Sequence, residues 1–407
     1  MCALRAALRA GRILAAKTWG TALKSCRCIL VFVFVFVSMA ASADEPRARD
    51  LGIPFDGTPG SYNAITDVPG VTVGQVTLVE DLPDGKAVRT GVTAVLPRGR
   101  DSINTHSFGG WFTLNGNGEM TGTTWLRESG FLEGPVMITN THSVGAVSEG
   151  VIKWRVAQGD GDHTGAWWSL PVVAETWDGY LNDINGFHVR PNHAMKAIDT
   201  ATSGPVAEGS VGGGTGMICH SFKCGTGTSS RIVKVGDENY VVGVLVQANY
   251  GSSRLLKVAG VPVGQHLDEI DFRASVDPYD QGFSSIIIVI ATDAPLLPAQ
   301  LSRLSKRASL GLARNGSIAG DSSGDIFIAF STANVDAGRG LPDAVIRMVP
   351  NGEITPLFEA VVNATEESII NALVAGRTMM GHEGHKILGI NHKRLQEILD
   401  SHNRLSK

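Results

Sequence analysis

The sequence is poor in cysteine and in charged side chains. Of 407 residues, five are cysteine and 18% are charged, and only Cys219 and Cys224 lie beyond the first 28 residues. A structural zinc site needs four ligands, and only His220 lies near this pair, so a zinc centre is disfavoured. Two cysteines can pair in an oxidising compartment. We favour buried free thiols, and keep a disulfide or a bound metal as alternatives.

The chain also lacks internal repeats, low-complexity tracts and long linkers. Its length alone allows two domains, but no break in composition marks a boundary between them. A single domain over residues 44–407 is therefore the simpler interpretation.

The N-terminal region has the composition of a secretory signal. Residues 1–28 carry six basic residues and no acidic residue, the apolar run 28–40 follows, and Ala41-Ser42-Ala43 comes next. A membrane-spanning helix needs roughly 20 apolar residues, which is more than this run provides. We interpret residues 1–43 as a cleavable signal. The sequence thus predicts a periplasmic or secreted bacterial protein with no membrane attachment after the signal is removed.

Removal of the signal makes the chain acidic. Six basic residues leave with it, so that 29 basic residues remain against 39 acidic ones. Binding to nucleic acid requires a basic surface. This balance of charge argues against a nucleic-acid partner.

Apolar runs predict several strands. Residues 71–79 and 91–98 are short strand patterns separated by the turn LPDGK, as in a hairpin. The runs 135–141, 240–249 and 284–295 are almost continuously apolar. Such runs are typical of strands that are buried on both faces.

Two amphipathic helices are predicted in the C-terminal third. One carries an apolar stripe from Leu297 to Ala308 and ends at Asn315-Gly316. The other begins at Thr355-Pro356, with Thr355 as its N-cap. Several strands combined with long amphipathic helices indicate sheets covered by helices, in layers.

A pair of serines stands where a polar segment meets a buried strand. Ser284 and Ser285 follow DPYDQGF (277–283) and precede IIIVI. A hydroxyl at the start of a strand commonly caps a turn, and no G-x-S-x-G motif or pattern tying one serine to a His and an Asp is present. These residues alone leave a structural and a catalytic role open.

A series of longer motifs occurs in order along the chain. They are NAITDVPGVTVG (63–74), RTGVTAVLPRG (89–99), NGNGEMTG (115–122), AETWDGYLNDING (174–186), GGGTGMICHSFK (212–223), VLVQANYG (244–251), SSIIIVIATDAPLLPAQL (284–301) and SSGDIFIAFSTAN (322–334). Together they resemble peptidase family S58, the L-aminopeptidase D-amidase/D-esterases and β-peptidyl aminopeptidases, from about residue 53 to 400. The resemblance implies an α+β fold. This fold is an αββα sandwich that resembles N-terminal-nucleophile hydrolases and is of the ornithine-acetyltransferase/aminopeptidase type.

The resemblance also implies a precursor that cuts itself. The α chain would be residues 44–284 and the β chain residues 285–407, which begins with the nucleophile. Counting back from ATDAP places that nucleophile on Ser285, with Ser284 as the close alternative. Relatives usually carry Gly or Asn before the cut, where this chain has Ser284, or Phe283 if the β chain begins at Ser284. The freed α-amine, with an unperturbed pKa of about 7.7–8.0, can act as the base, so neither a metal nor an organic cofactor is required.

Other residues take roles through the same resemblance. Ser323 and Asp325 match a pair that hydrogen-bonds the nucleophile and its amine. Asn249 matches the amide that donates to the tetrahedral oxyanion.

The substrate predicted by the resemblance is a short peptide, amide or ester with a free amino terminus. Glu175 matches an acid that receives this amine, with Trp177 as a pocket wall and Glu119 as an alternative acid. Whether L-, D- or β-amino acyl groups are preferred stays open. The α and β chains are expected to remain associated, in a homo-tetramer. The alternatives are an ornithine-acetyltransferase-like acyltransferase and a non-catalytic binding protein of the envelope.

Overall fold

A computed structural model describes residues 46–159, 168–267 and 284–406. Its strands are β1 (Thr72–Asp81), β2 (Ala87–Arg100), β3 (Ser107–Thr113), β4 (Phe131–Leu132), β5 (Val136–Asn140), β6 (Val172–Thr176), β7 (Ile218–Cys219), β8 (Phe222–Lys223), β9 (Thr226–Val235), β10 (Glu238–Asn249), β11 (Ser284–Thr292), β12 (Ser323–Ser331), β13 (Met379–Met380) and β14 (Lys386–Ile387). Its α-helices are α1 (Thr123–Ser129), α2 (Val144–Ala157), α3 (Pro191–Asp199), α4 (Pro298–Arg314), α5 (Val335–Gly338), α6 (Thr355–Val374) and α7 (His392–Ser401).

The larger strands form two sheets. One has the order β1-β2-β5-β6 and the other the order β4-β3-β12-β11-β10-β9. In the six-stranded sheet, β11 runs antiparallel to β10 and parallel to β12. The short strands pair as two separate hairpins, β7 with β8 and β13 with β14.

The two sheets pack face to face, and helices cover their outer faces. Helices α2 and α3 lie on the four-stranded sheet, and α4 and α6 lie on the six-stranded sheet. Strand β11 shows why its sequence is continuously apolar. Ile286, Ile288 and Ile290 enter the core beneath the helices, whereas Ile287 and Val289 enter the core between the sheets. The αββα sandwich expected from the sequence is confirmed.

Most of the predicted elements are present, with small differences at their ends. The hairpin of β1 and β2 and the two long helices form where the patterns placed them. The predicted N-cap of α6 is wrong by one residue, since Ile354 is the N-cap and Thr355 is already helical. Gly316, just after α4, has a φ of +102°, and an added Cβ would lie 1.8 Å from the carbonyl oxygen of Leu255. Only glycine fits this stop.

Two predicted segments lie outside the described residues: the signal 1–43 and the polar segment 277–283. In the part of the chain that the structure describes, no helix is both long enough and apolar enough to cross a membrane.

A buried ion pair fastens α6 to β9. The carboxylate of Glu367 is completely buried, with Oε2 2.6 Å from Arg231 Nη2 and Oε1 2.7 Å from Arg49 Nε. Asn63 Nδ2 also donates to Oε1, at 2.6 Å. Burial acts to raise the pKa of Glu367, but the hydrogen bond from Arg49 and the charge of Arg231 outweigh burial and keep this pKa below its ordinary value. The carboxylate is therefore ionised and fully paired.

We expect Glu367→Gln to lower the free energy of unfolding by about 3–5 kcal/mol, because Arg231 would keep a buried charge without its counter-ion. The neighbouring Glu366 offers a matched control. It pairs with Arg314, whose side chain is 44% exposed. Glu366→Gln should therefore cost no more than about 1 kcal/mol. Denaturant unfolding of both variants measures the difference, and equal losses would contradict a dominant role for the buried pair.

Candidate active site

The register of β11 sets the geometry of the site. Ser285 lies opposite Asn249 on β10 and opposite Gly324 on β12, and Ser284 lies opposite Ser323. Successive side chains of a strand point to opposite faces of the sheet. Ser284 therefore shares its face with Ile286, towards the helices, and Ser285 faces the space between the sheets.

The helix-facing side of the site is a chain of hydrogen bonds. Ser284 Oγ donates to Ser323 Oγ at 2.9 Å, and Ser323 Oγ donates to Asp325 Oδ1 at 2.6 Å. The sequence resemblance predicts that the nucleophile, Ser285, contacts the Ser323–Asp325 pair. In this structure, Ser284 makes that contact. Alternation of side chains along β11 is the reason, since the hydroxyl of Ser285 points to the other face.

Asp325 is a strongly perturbed carboxylic acid. It is 1% exposed, and its Oδ2 has no hydrogen-bond partner among the residues that the structure describes. Burial raises the pKa of Asp325 to about 6, against the opposing effect of hydrogen bonds from the Ser323 hydroxyl and the Ile286 backbone N–H. Within the described part of the chain, the buried hydroxyl of Tyr250 also lacks a hydrogen-bond partner, and burial together with the Asp325 charge raises the pKa of Tyr250 well above its ordinary value. A titratable carboxylate thus lies beside the Ser284–Ser285 bond.

Asn249 joins three segments on the face of Ser285. Its Oδ1 accepts a hydrogen bond from the Ile218 backbone N–H at 2.9 Å, and its Nδ2 donates to the Trp177 carbonyl oxygen at 2.9 Å. Trp177 therefore contacts Asn249 through its backbone. Its ring packs instead with a small cluster that includes Tyr180. The amide is 1% exposed and oriented at both ends.

Two glycines connect the face of Ser285 to Glu175. A Cβ added to Gly324 would lie 2.8 Å from Gly118 Cα, and one added to Gly118 would lie 3.2 Å from Glu175 Oε1. Residues 117–118 therefore cross directly over Gly324, the neighbour of Ser285, and lead to the carboxylate of Glu175. Side chains at either glycine would separate these groups.

Both oxygens of Glu175 accept hydrogen bonds. The backbone N–H of Glu119 donates to Oε1 at 2.9 Å, and the hydroxyl of Thr141 donates to Oε2. Burial, together with the charge of Glu119, raises the pKa of Glu175 despite these two hydrogen bonds. Glu119 is itself exposed, so its backbone rather than its carboxylate makes the close contact.

Sequence reasoning overlooked some of these contributors. Thr141 is the last residue of the predicted strand 135–141 and directly follows β5, yet nothing in its pattern indicates a bond to Glu175, more than thirty residues away. Gly118 and Gly324 lie inside motifs that resemble the family, but their close approach depends on tertiary contact. Within the described segments, no group of three or more His, Cys, Asp or Glu side chains could hold a metal ion.

The cysteine pair differs from the preferred interpretation. Cys219 and Cys224 form a disulfide, and both are completely buried. The expectation of free thiols is wrong, because the pairing of β7 with β8 brings the two residues together, with Cα atoms 5.4 Å apart.

The chain is similar in sequence to known proteins. The sequence model of Peptidase family S58 matches residues 63–387. A β-peptidyl aminopeptidase of Sphingosinicella microcystinivorans is 52% identical over 381 residues, which cover 90% of this chain and 95% of the relative.

Solved structures agree with the fold. The L-aminopeptidase D-Ala-esterase/amidase of Ochrobactrum anthropi, a prototype of the serine aminopeptidases with a variant of the Ntn hydrolase fold, matches with a TM-score of 0.82 and 46% identity, over 89% of this chain and 100% of its own. A β-aminopeptidase from a Burkholderia species matches with a TM-score of 0.80 and 48% identity, over 88% and 99% of the two chains. The αββα layers are therefore those of an Ntn hydrolase.

Asp325→Asn should change how stability depends on pH. The folded chain holds the pKa of Asp325 at about 6, above the unfolded value of about 3.9. The group therefore adds stability below about pH 4, and this contribution is lost as the pH rises through about 6. Asparagine cannot titrate, so the part of the stability loss at rising pH that comes from Asp325 should disappear.

The measurement is the change in unfolding free energy between about pH 4 and about pH 8, values that bracket the two pKa values. A Ser285→Ala background, which lacks the expected nucleophile of self-cleavage, is used so that the chain stays continuous, as it is in this structure. Asp321→Asn, at an exposed carboxylate in the turn that precedes β12, is the control and should leave the change unaltered. The same pH dependence in Asp325→Asn as in its parent would contradict the assignment.

Proposed function

We propose, on the premise that the chain belongs to peptidase family S58, that it cuts its own backbone before Ser285 and then removes N-terminal residues from short substrates. Membership of the family makes the chain an aminopeptidase and a hydrolase of peptide bonds. The finer proposal concerns the bond that is cut, the nucleophile and the substrate. The observation that carries it is the register that places Ser285 opposite Asn249 and beside the strand of Ser323 and Asp325.

Self-cleavage would proceed through an ester. The Oγ of Ser285 attacks the carbonyl carbon of Ser284, the C–N bond between the two residues breaks, and its nitrogen takes up a proton. The acyl group of Ser284 is then esterified to Ser285 Oγ. Water hydrolyses this ester, which leaves a carboxylate on Ser284 and a free α-amine on Ser285.

That amine supplies the base for later turnovers. Its unperturbed pKa of about 7.7–8.0 lets it accept the Ser285 Oγ proton near neutral pH. In the continuous chain, Ser323 Oγ is bonded to the Ser284 hydroxyl at 2.9 Å. When Ser284 moves away after the cut, the Ser323 hydroxyl would lose this partner. The new amine forms on the residue next to Ser284 in the chain, close to the Ser323 hydroxyl. The Asp325 carboxylate would raise the pKa of a nearby ammonium, whereas burial would lower it.

Asn249 would stabilise the tetrahedral intermediate. Its amide lies opposite Ser285 on the same face of the sheet, and its orientation is fixed by Ile218 and Trp177. A donor placed before the reaction begins needs no reorganisation when negative charge develops on the oxygen. Loss of one such donor typically lowers the rate by about 10²–10³.

The substrate would present its free amine to Glu175. This carboxylate is 3% exposed, and its two oxygens are fixed by the Glu119 backbone and by Thr141. We propose short peptides, amides or esters with an N-terminal β-amino acyl group as preferred substrates, since a β-peptidyl aminopeptidase is 52% identical to this chain. L- and D-amino acyl groups are the other classes to test, since the Ochrobactrum anthropi enzyme acts on such compounds.

Further parts of the proposal concern assembly and location. The α chain (44–284) would supply β10 and the β chain (285–407) would supply β11 and β12. These strands are neighbours in one sheet, so the two chains should remain associated. The homo-tetramer and the periplasmic or secreted location are proposed from the family resemblance and from the composition of residues 1–43. Family membership favours hydrolysis over acyl transfer or a purely binding role.

The nucleophile can be assigned with two substitutions. Ser285→Ala is expected to remain one chain and to release no p-nitroaniline from an aminoacyl p-nitroanilide. Ser284→Gly, which introduces a residue that relatives carry before the cut, should still give two fragments and full activity. Electrophoresis and the p-nitroanilide assay measure both outcomes. If Ser284→Gly were inactive and uncut while Ser285→Ala were active, the nucleophile would be Ser284.

The acid that receives the substrate amine can be identified in the same assay. Glu175→Gln should raise KM by about 10–100-fold, because a hydrogen bond to a charged group is worth about 1.5–3 kcal/mol. Glu119→Gln is the matched control and should change KM little, since Glu119 is exposed. Among the p-nitroanilides of β-homoalanine, L-alanine and D-alanine, that of β-homoalanine should show the highest kcat/KM. A larger effect at Glu119 would reverse the assignment.

A further inference from the structure

A small disulfide hairpin lies against the end of β10. We call residues 218–224 the disulfide hairpin: it comprises β7, β8, a two-residue turn of His220 and Ser221, and the disulfide between Cys219 and Cys224. All its residues are buried, and Lys223 is completely so. The hairpin belongs to neither large sheet, and the proposed mechanism uses only its Ile218 N–H, which orients Asn249.

The turn of the disulfide hairpin is conformationally unfavourable. His220 and Ser221 have φ values of +50° and +67°. Two-residue hairpin turns with positive φ at both positions favour Asn and Gly, so His and Ser require support from their surroundings. The disulfide joins the two arms, and Lys223 Nζ donates to the carbonyl oxygens of Met217 and Cys224 at 2.8 and 2.6 Å. The hairpin is therefore closed by both covalent and polar contacts.

The disulfide hairpin contacts the end of β10, where this strand lies next to Ser285, and the residues that follow β10. Ile218 N–H donates to Asn249 Oδ1 at 2.9 Å. His220 N–H donates to the Tyr250 carbonyl oxygen at 2.9 Å, and His220 Nδ1 lies 3.0 Å from the Ser252 carbonyl oxygen. One arm and the turn thus hold the chain from 249 to 252.

There is little room for this contact to shift. A Cβ added to Gly251 would lie 2.5 Å from His220 Cε1, so the ring packs directly against the backbone of β10's extension. The bond from Ile218 also decides which end of the Asn249 side chain is oxygen. A backbone N–H can only donate, so it selects Oδ1 and turns Nδ2 to the other side.

We propose that the Cys219–Cys224 disulfide positions the Asn249 amide, so that full turnover requires the oxidised pair. The inference rests on the proposed role of Asn249 as the oxyanion donor. Opening the disulfide would release the strained turn, loosen the donor at Ile218 and let the amide rotate away from the position that the transition state needs. The two cysteines are positioning residues and do not contact the substrate.

Formation of this disulfide requires an external oxidant. The thiols of Cys219 and Cys224 lose two protons and two electrons, which reduce the disulfide of an exported thiol oxidase to two thiols by exchange. Such oxidants operate outside the cytoplasm. The requirement therefore agrees with the export proposed for residues 1–43.

A double-mutant cycle tests the proposal. Its members are Cys219→Ala/Cys224→Ala, Asn249→Ala and the triple variant, each assayed for kcat and KM on an aminoacyl p-nitroanilide after active-site titration. Asn249→Ala should lower kcat by about 10²–10³-fold. The cysteine variant should lower kcat by at least about tenfold, a fraction of that loss, with little change in KM. In the triple variant the cysteine changes should have no further effect.

The possible results separate the inference from the function on which it rests. If Asn249→Ala lowers kcat but the cysteine changes have no effect, or an additive one, the positioning role is overturned and the proposed function stands. If Asn249→Ala leaves kcat unchanged, the oxyanion role itself fails, and the inference fails with it. Ile198→Val, in the core beneath α3, is the control for lost stability alone and should leave kcat unchanged.

A second measurement applies if the cysteine variant does not fold. The wild-type enzyme, already folded and cleaved, is treated with dithiothreitol, which gives two electrons and two protons to the disulfide and becomes a cyclic disulfide. Maleimide labelling and mass spectrometry count the thiols. We expect kcat per active chain to fall with the fraction reduced and to recover on reoxidation. Fully reduced enzyme with unchanged kcat would overturn the proposal.

Discussion

The position of β11 between β10 and β12 is the constraint on which the site depends. Hydrogen bonds on both sides of the strand set its register, so that Ser285 lies opposite Asn249 and Gly324. Because side chains alternate along a strand, a shift by one residue would exchange the faces of Ser284 and Ser285 and move each of five apolar side chains into the opposite core. The packing of IIIVI into these two cores therefore also fixes the position of a hydroxyl group.

This register divides the chemistry between two faces of one sheet. Ser284, Ser323 and Asp325 form a hydrogen-bonded chain on the face that the helices cover. Asn249 lies on the face towards the other sheet, where two glycines bring Glu175 close. The bond between Ser284 and Ser285 lies in the plane between these faces. Cutting it would give the nucleophile a free amine while the strand itself stays in place, which explains how one residue can supply both nucleophile and base.

Sequence reasoning was sufficient where a pattern is local. The hairpin of β1 and β2, the buried strands and the two long helices follow from periodicity and turn residues, and the family motifs identified the residues that the sheet brings together. It was insufficient where tertiary contact decides. Two adjacent serines have the same local pattern, and only their placement on β11 shows that Ser284 contacts Ser323. The disulfide depends on the pairing of β7 with β8, and the bond from Thr141 to Glu175 joins the residue after β5 to β6.

The central claim is that a backbone break makes Ser285 a chain end with its own proton acceptor. The most direct measurement is the N-terminal sequence of the C-terminal fragment in purified, active enzyme. The account predicts that it begins Ser285-Ile286-Ile287. A fragment that begins at Ser284, or an intact chain with full activity, would contradict it.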